Sequence, residues 1–153
     1  MQQSQPKIQV SVTDQELRLM DGDQVVHSWP ISTSKFGLGS EEGSFKTPLG
    51  KFRVAEEFGD DAPEGTIFKG RKPVGTWNPA ESVDEDMVLT RILWLEGLEE
   101  QNANTKERYI YIHGTNDEEK IGEPASIGCV RMKNADVIAL YDQVGVGTEV
   151  EIV

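Results

Sequence analysis

Near its start the chain alternates: Ile8, Val10 and Val12 are separated by polar residues, and Leu17 and Leu19 resume the alternation after a Thr13-Asp14-Gln15 turn. Side chains two apart share one face of a strand, so both stretches predict half-buried strands. Asp21-Gly22-Asp23 turns the chain again before a third stretch over 25–31, and the three together read as a β-meander. His27 falls in the third strand and reads as a partly exposed strand residue. Residues 32–50, rich in Gly, Ser and Thr, predict a long loop; it lacks the Gly-Lys-Ser/Thr ending of a phosphate loop. A strand begins over 51–54, 56–63 reads as an acidic turn region, and 66–77 as a hairpin punctuated by Gly70, Pro73 and Gly75. Residues 80–86 suggest a short acidic helical turn. The strongest apolar run, 87–95, fits a buried central strand, and 96–108 reads as a polar surface loop. Asn134 suits the N-cap of a helix over 135–144, with Val137, Ile138, Leu140 and Tyr141 on one face, and 148–153 alternates into a last strand. The balance is mainly β with one or two short helices.

Residues 109–134 concentrate the chemistry. Tyr109, Tyr111 and His113 would project to one side of an extended segment while Ile110 and Ile112 project to the other, so His113 ends a strand. Gly114 lets the backbone turn sharply there. A polar loop over 116–124 follows, then Ser126-Ile127-Gly128-Cys129-Val130-Arg131, where the thiol directly follows a glycine. Backbone N–H groups of Gly128 and Cys129 are candidate oxyanion donors, and base, thiol and cation come together. A lone cysteine is more often a small buried hydrophobe, and by chemistry alone the two readings stand even. Arg131 is a candidate for binding a substrate carboxylate or for a structural ion pair. Tyr111 would line the site or pack as a strand aromatic, and Ser126 would donate to substrate or stabilise the turn.

The segment resembles the L,D-transpeptidase (YkuD-type) catalytic domain. The likeness rests on His113-Gly114-Thr115, the spacing of 129 − 113 = 16 positions, and Ser126-Ile127-Gly128-Cys129-Val130-Arg131-Met132. Thr47-Pro48-Leu49-Gly50-Lys51-Phe52, Thr90-Arg91-Ile92-Leu93 and Gly147-Thr148-Glu149-Val150 extend it over nearly the whole chain. One departure stands out: Ile127 occupies the place where most members carry a second histidine. The resemblance implies a β-rich sheet fold, Cys129 as nucleophile, His113 as general base and the Gly114 carbonyl holding the imidazole. It also implies peptidoglycan stem tetrapeptides as substrate and a periplasmic or cell-wall location. Water in place of an amine acceptor would make a carboxypeptidase. A binding domain with an inert buried Cys129 is the reading from a different class.

Length and charge narrow the rest. At 153 residues the chain suits one domain over 7–153 behind a poorly ordered 1–6, with monomer favoured. A net charge of −12 argues against a nucleic-acid partner. No apolar run is long enough for a membrane span. One cysteine excludes an internal disulfide, and with two distant histidines it makes a poor zinc set, so neither metal nor cofactor is expected. Residues 1–6 lack the apolar core of a signal peptide, which leaves either a cytosolic protein or one whose leader was removed.

Overall fold

The computed structural model describes residues 6–80 and 86–153; residues 1–5 of the expected loose N-terminus and 81–85 of the expected helical turn lie outside them. β1 (Lys7–Ser11), β2 (Glu16–Asp21) and β3 (Gln24–Ser32) form the antiparallel meander, with Ile8 opposite Leu19 and Val10 opposite Leu17. After the long connection come β4 (Gly50–Phe58), β5 (Thr66–Lys69), β6 (Lys72–Thr76), β7 (Val88–Gly97) and β8 (Tyr111–Gly114). β9 (Val130–Met132), α1 (Asn134–Tyr141) and β10 (Glu149–Ile152) complete the chain.

The strands lie in the order β4-β10-β1-β2-β3-β9-β8-β7-β5-β6, and β4 also pairs with β7. That extra pairing closes eight strands into a barrel, which leaves no open edge among them. The β5–β6 hairpin extends the sheet outward from β7.

Alternation sorts side chains to the two faces. Ile8, Val10, Leu17, Leu19, Phe52, Val54, Leu93, Leu95, Ile112, Val130, Met132 and Val150 point into one buried interior. Phe68, Ile92 and Tyr111 form a second cluster outside it, joined by Phe58, Val88, Trp94 and Cys129. Burying a large aliphatic or aromatic side chain contributes roughly 1.5–3 kcal/mol, so the barrel interior dominates stability and the outer cluster adds a local anchor.

Four expectations change. The acidic stretch after Val54 stays in β4 as far as Phe58, because Glu56 and Glu57 pair with Trp94 and Leu93 past a bulge; the turn lies further on. Tyr109 lies outside β8 with φ +56, exposed, so the alternating face begins at Tyr111. Asn134 is not the N-cap: Lys133 occupies that position, and the helix ends at Tyr141. The Asn134 side chain turns inward, where buried partners outweigh a cap exposed to water. Residues 96–108 are also more than surface, since buried Asn102 donates to the carbonyls of Leu49 and Lys51 and ties this stretch to the start of β4.

Candidate active site

β8 and β9 pair in parallel, with Ile112 beside Val130 and His113 beside Arg131. Since Ile112 and Val130 enter the barrel interior, their neighbours His113 and Arg131 face outward together, as do Tyr111 and the residue preceding β9, Cys129. The register therefore gathers the base and the thiol on one face, diagonal to each other.

Cys129 is half-buried, its Sγ donating to the Tyr109 carbonyl at 3.4 Å and accepting from the Tyr111 N–H at 3.4 Å. Burial pushes the thiol up to about 11; the Tyr111 N–H opposes this, Asp86 adds to it, and Arg131 and Arg108 oppose it. At neutral pH the sulfur is a protonated thiol.

His113 is buried, with Nδ1 2.5 Å from the Gly114 carbonyl oxygen. A carbonyl only accepts, so Nδ1 carries the proton and Nε2 keeps its lone pair. Burial lowers the imidazole pKa, with Asp86 and the Gly114 carbonyl acting upward and Arg131 downward. The resting pair is neutral thiol and neutral imidazole.

The Gly114 carbonyl is itself held. A Cβ at Gly114 would lie 2.7 Å from the Leu89 carbonyl oxygen and closer still to Asn134 Oδ1, so only glycine fits. Asn134 Nδ2 donates to the Thr115 carbonyl at 2.9 Å and its Oδ1 accepts from Thr90 Oγ1 at 2.6 Å. Thr90 Oγ1 in turn accepts from the Gly65 N–H at 2.9 Å. Thr90 sits where the β7–β8 register shifts, and its φ of +75 is strained for a β-branched residue, at a cost of about 1–3 kcal/mol. The bulge lies directly opposite the His113–Gly114 peptide.

The cysteine turn has its own supports. Ser126 is fully buried; its Oγ donates to the Cys129 carbonyl at 2.7 Å and accepts from the Gly128 N–H at 3.3 Å. Thr47 Oγ1 donates to the Gly128 carbonyl at 3.0 Å and accepts from the Ser34 N–H at 2.9 Å, fastening the long 33–49 connection to the turn. Gly128 has φ +128, which side-chain-bearing residues rarely adopt. None of these bonds uses the Cys129 N–H.

Arg131 is buried between two carboxylates, Nη1 at 3.2 Å from Asp86 and Nη2 at 3.5 Å from Asp117. Tyr111 donates its backbone to the thiol, and its hydroxyl accepts from Arg71 Nη1 at 3.0 Å. Ile127 is 50 % exposed and borders a cavity of about 450 Å³ with Phe45, Asn104, Arg108 and Ile110. His27 stays on β3, exposed and stacked on Trp29. Asp86, Arg108, Thr90 and Asn134 escaped sequence reasoning as site residues, because nothing in their local pattern marks them. Among the described residues no His/Cys/Asp/Glu group is arranged to hold a metal, and no helix is long and apolar enough to cross a membrane.

The family described as the L,D-transpeptidase catalytic domain, YkuD, matches residues 5–152. The YkuD protein of Bacillus licheniformis, which carries an L,D-transpeptidase name, is 30% identical over 146 residues, covering 95% of this chain and 64% of that protein. The similarly named YqjB of Bacillus subtilis is 48% identical over 48 residues, 31% of this chain and 27% of its own length. The chain thus spans less than two thirds of these relatives. Among solved structures, an L,D-transpeptidase from Xylanimonas cellulosilytica superposes with a TM-score of 0.63 at 20% identity, covering 99% of this chain and 62% of that one. L,D-transpeptidase 3 from Mycobacterium tuberculosis, in complex with a faropenem-derived adduct, gives 0.59 at 16% identity, covering 96% and 60%. At such identities these likenesses speak for the fold.

Proposed function

This chain belongs to the L,D-transpeptidase (YkuD) catalytic-domain family, and from that premise we propose that it is a cysteine acyltransferase acting on peptidoglycan stem tetrapeptides at the cell wall. The observation that carries the reading is the β8–β9 register, which sets Cys129 on the same outward face as an imidazole whose Nδ1–H is held by the Gly114 carbonyl, so that Nε2 carries the lone pair that accepts a proton.

In this reading Cys129 Sγ leaves the Tyr109 carbonyl and attacks the carbonyl of the diamino-acid residue, while His113 Nε2 takes the thiol proton. The S–C bond forms, the peptide C–N bond breaks, and His113 returns the proton to the departing D-alanine amine. An acceptor amine then attacks the thioester, gives a proton to His113, and restores the thiol. The developing oxyanion is met by the Cys129 N–H and by the Gly128 N–H, whose present bond to Ser126 is long enough to exchange; one such donor typically contributes about 3 kcal/mol. Of the other candidate substrate contacts, Tyr111 borders the thiol directly. Ser126 and Arg131 act by holding the turn and the adjoining loop. Neutral reactants suit a base that works only as the bond forms, since no thiolate has to be maintained in a buried setting.

Intact-mass measurement after incubation with a disaccharide tetrapeptide tests the proposal. A thioester adduct should appear on the wild-type chain and be absent from Cys129→Ala, and transfer to an added amine should release it. An unmodified wild-type mass would sink the reading.

A further inference from the structure

Two cations, Arg131 and Arg108, act on the thiol, and two more, Arg71 and Lys106, lie against the Trp94 ring of the cluster that Cys129 joins; three of the four are already committed. Arg131 is buried against Asp86 and Asp117, and Lys106 is paired with Glu56 at 3.0 Å. Arg108 donates to the carbonyls of Lys46 at 2.7 Å and Gly39 at 3.3 Å, and to Ser44 Oγ at 3.5 Å. Arg71 differs: among the described residues it has neither a carboxylate partner, as Arg131 and Lys106 have, nor a bond to a backbone carbonyl, as Arg108 has, and its one hydrogen bond goes to the Tyr111 hydroxyl.

Its position is nevertheless built. Arg71 sits in the turn of the β5–β6 hairpin with φ +64. Its guanidinium lies 4.4 Å from the Trp94 ring centroid and 5.6 Å from that of Tyr109, and Nη1 donates to the Tyr111 hydroxyl. Trp94 also stacks on Tyr109, so the cation rests on a paired aromatic platform. The two tyrosines beneath it are the residues whose backbone groups bond the Cys129 sulfur. Stacking holds the fork over the rings, and among the described residues Nη2 and Nε make no protein hydrogen bond, which suits bidentate recognition of a carboxylate. Glu56, the carboxylate whose charge acts on Arg71, is itself ion-paired to Lys106.

We propose that Arg71 binds a carboxylate of the donor peptide and so orients the scissile carbonyl over Cys129. The assignment rests on the acyl-transfer reading for its substrate. Two carboxylates of a stem tetrapeptide have this chemistry, that of the C-terminal residue and that of the diamino acid. Arg131, being buried and doubly paired, is left to shape the loop.

The test measures binding and reaction separately. In the Cys129→Ala background, calorimetry compares a free-acid disaccharide tetrapeptide with forms amidated at the C-terminus or at the diamino acid. Adding Arg71→Ala should weaken binding of the free acid by roughly 10- to 100-fold, the usual worth of a charge-assisted contact, and leave one amidated form unaffected. That form identifies the carboxylate. Arg71→Lys should restore part of the loss. In the otherwise wild-type chain, Arg71→Ala should raise KM for acylation far more than it lowers kcat. Equal losses on free and amidated peptides, or no binding to Cys129→Ala at all, would overturn the role of Arg71. Carboxylate-dependent binding without any thioester on the wild-type chain would instead leave Arg71 standing and remove the transferase reading.

Discussion

The protonation state of Cys129 gives the sharpest test of how this site rests. Many cysteine enzymes hold a thiolate beside an imidazolium; here burial raises the thiol from an ordinary 9.0 to about 11 and lowers His113, so both partners are neutral. Two pH units correspond to roughly 100-fold less thiolate at neutral pH than an ordinary cysteine has, or about 2.7 kcal/mol at ~1.36 kcal/mol per unit. Alkylation by iodoacetamide, followed by intact mass from pH 6 to 10.5, reads this directly, with the urea-unfolded chain as reference. The unfolded chain should level off near pH 9. The native rate should still be climbing tenfold per pH unit at pH 10. The position of the bend is independent of how well the reagent reaches a half-buried sulfur, which would only scale the whole curve. A native plateau beginning below pH 8 would mean a thiolate–imidazolium pair, and the burial argument would be wrong.

His113→Ala should slow acylation by roughly two to four orders of magnitude in single-turnover mass measurements, while His27→Ala, on the exposed face of β3, should leave it unchanged. A His113→Ala rate close to wild type would assign thiol activation elsewhere. Stability should carry a His113 signature as well: its folded pKa is lowered, so below about 6.5 the unfolded chain takes up the proton first, and the folded state loses stability as pH falls. Melting curves from pH 7 to 5 should therefore drop more steeply for wild type than for His113→Gln, by up to about 1.4 kcal/mol per pH unit, and parallel curves would contradict the assignment. Asn134→Ala strands the buried Thr115 carbonyl and Thr90 hydroxyl, each costing about 1–3 kcal/mol, which denaturant unfolding should detect. A midpoint unchanged in Asn134→Ala would show that the network around Gly114 does not bear on the fold.

Local pattern in the sequence was enough for the meander, the hairpin, the buried run that became β7, and the His113 to Cys129 segment that carries the family resemblance. Those features are periodic or contiguous, and a two-residue alternation or a glycine beside a thiol is visible without knowing what packs against it. It was silent on Asp86 and Arg108 beside the thiol, and it placed Asn134 at a helix cap when the side chain instead turns inward to Thr90 and Thr115. It also did not show that β4 pairs with β7 and closes the barrel. These are decisions of tertiary structure for one reason. Strand pairing joins residues some 40 positions apart, and the charge state of Cys129 or His113 is set by the burial and fields of all such neighbours together. Neither quantity is a property of any short stretch of chain.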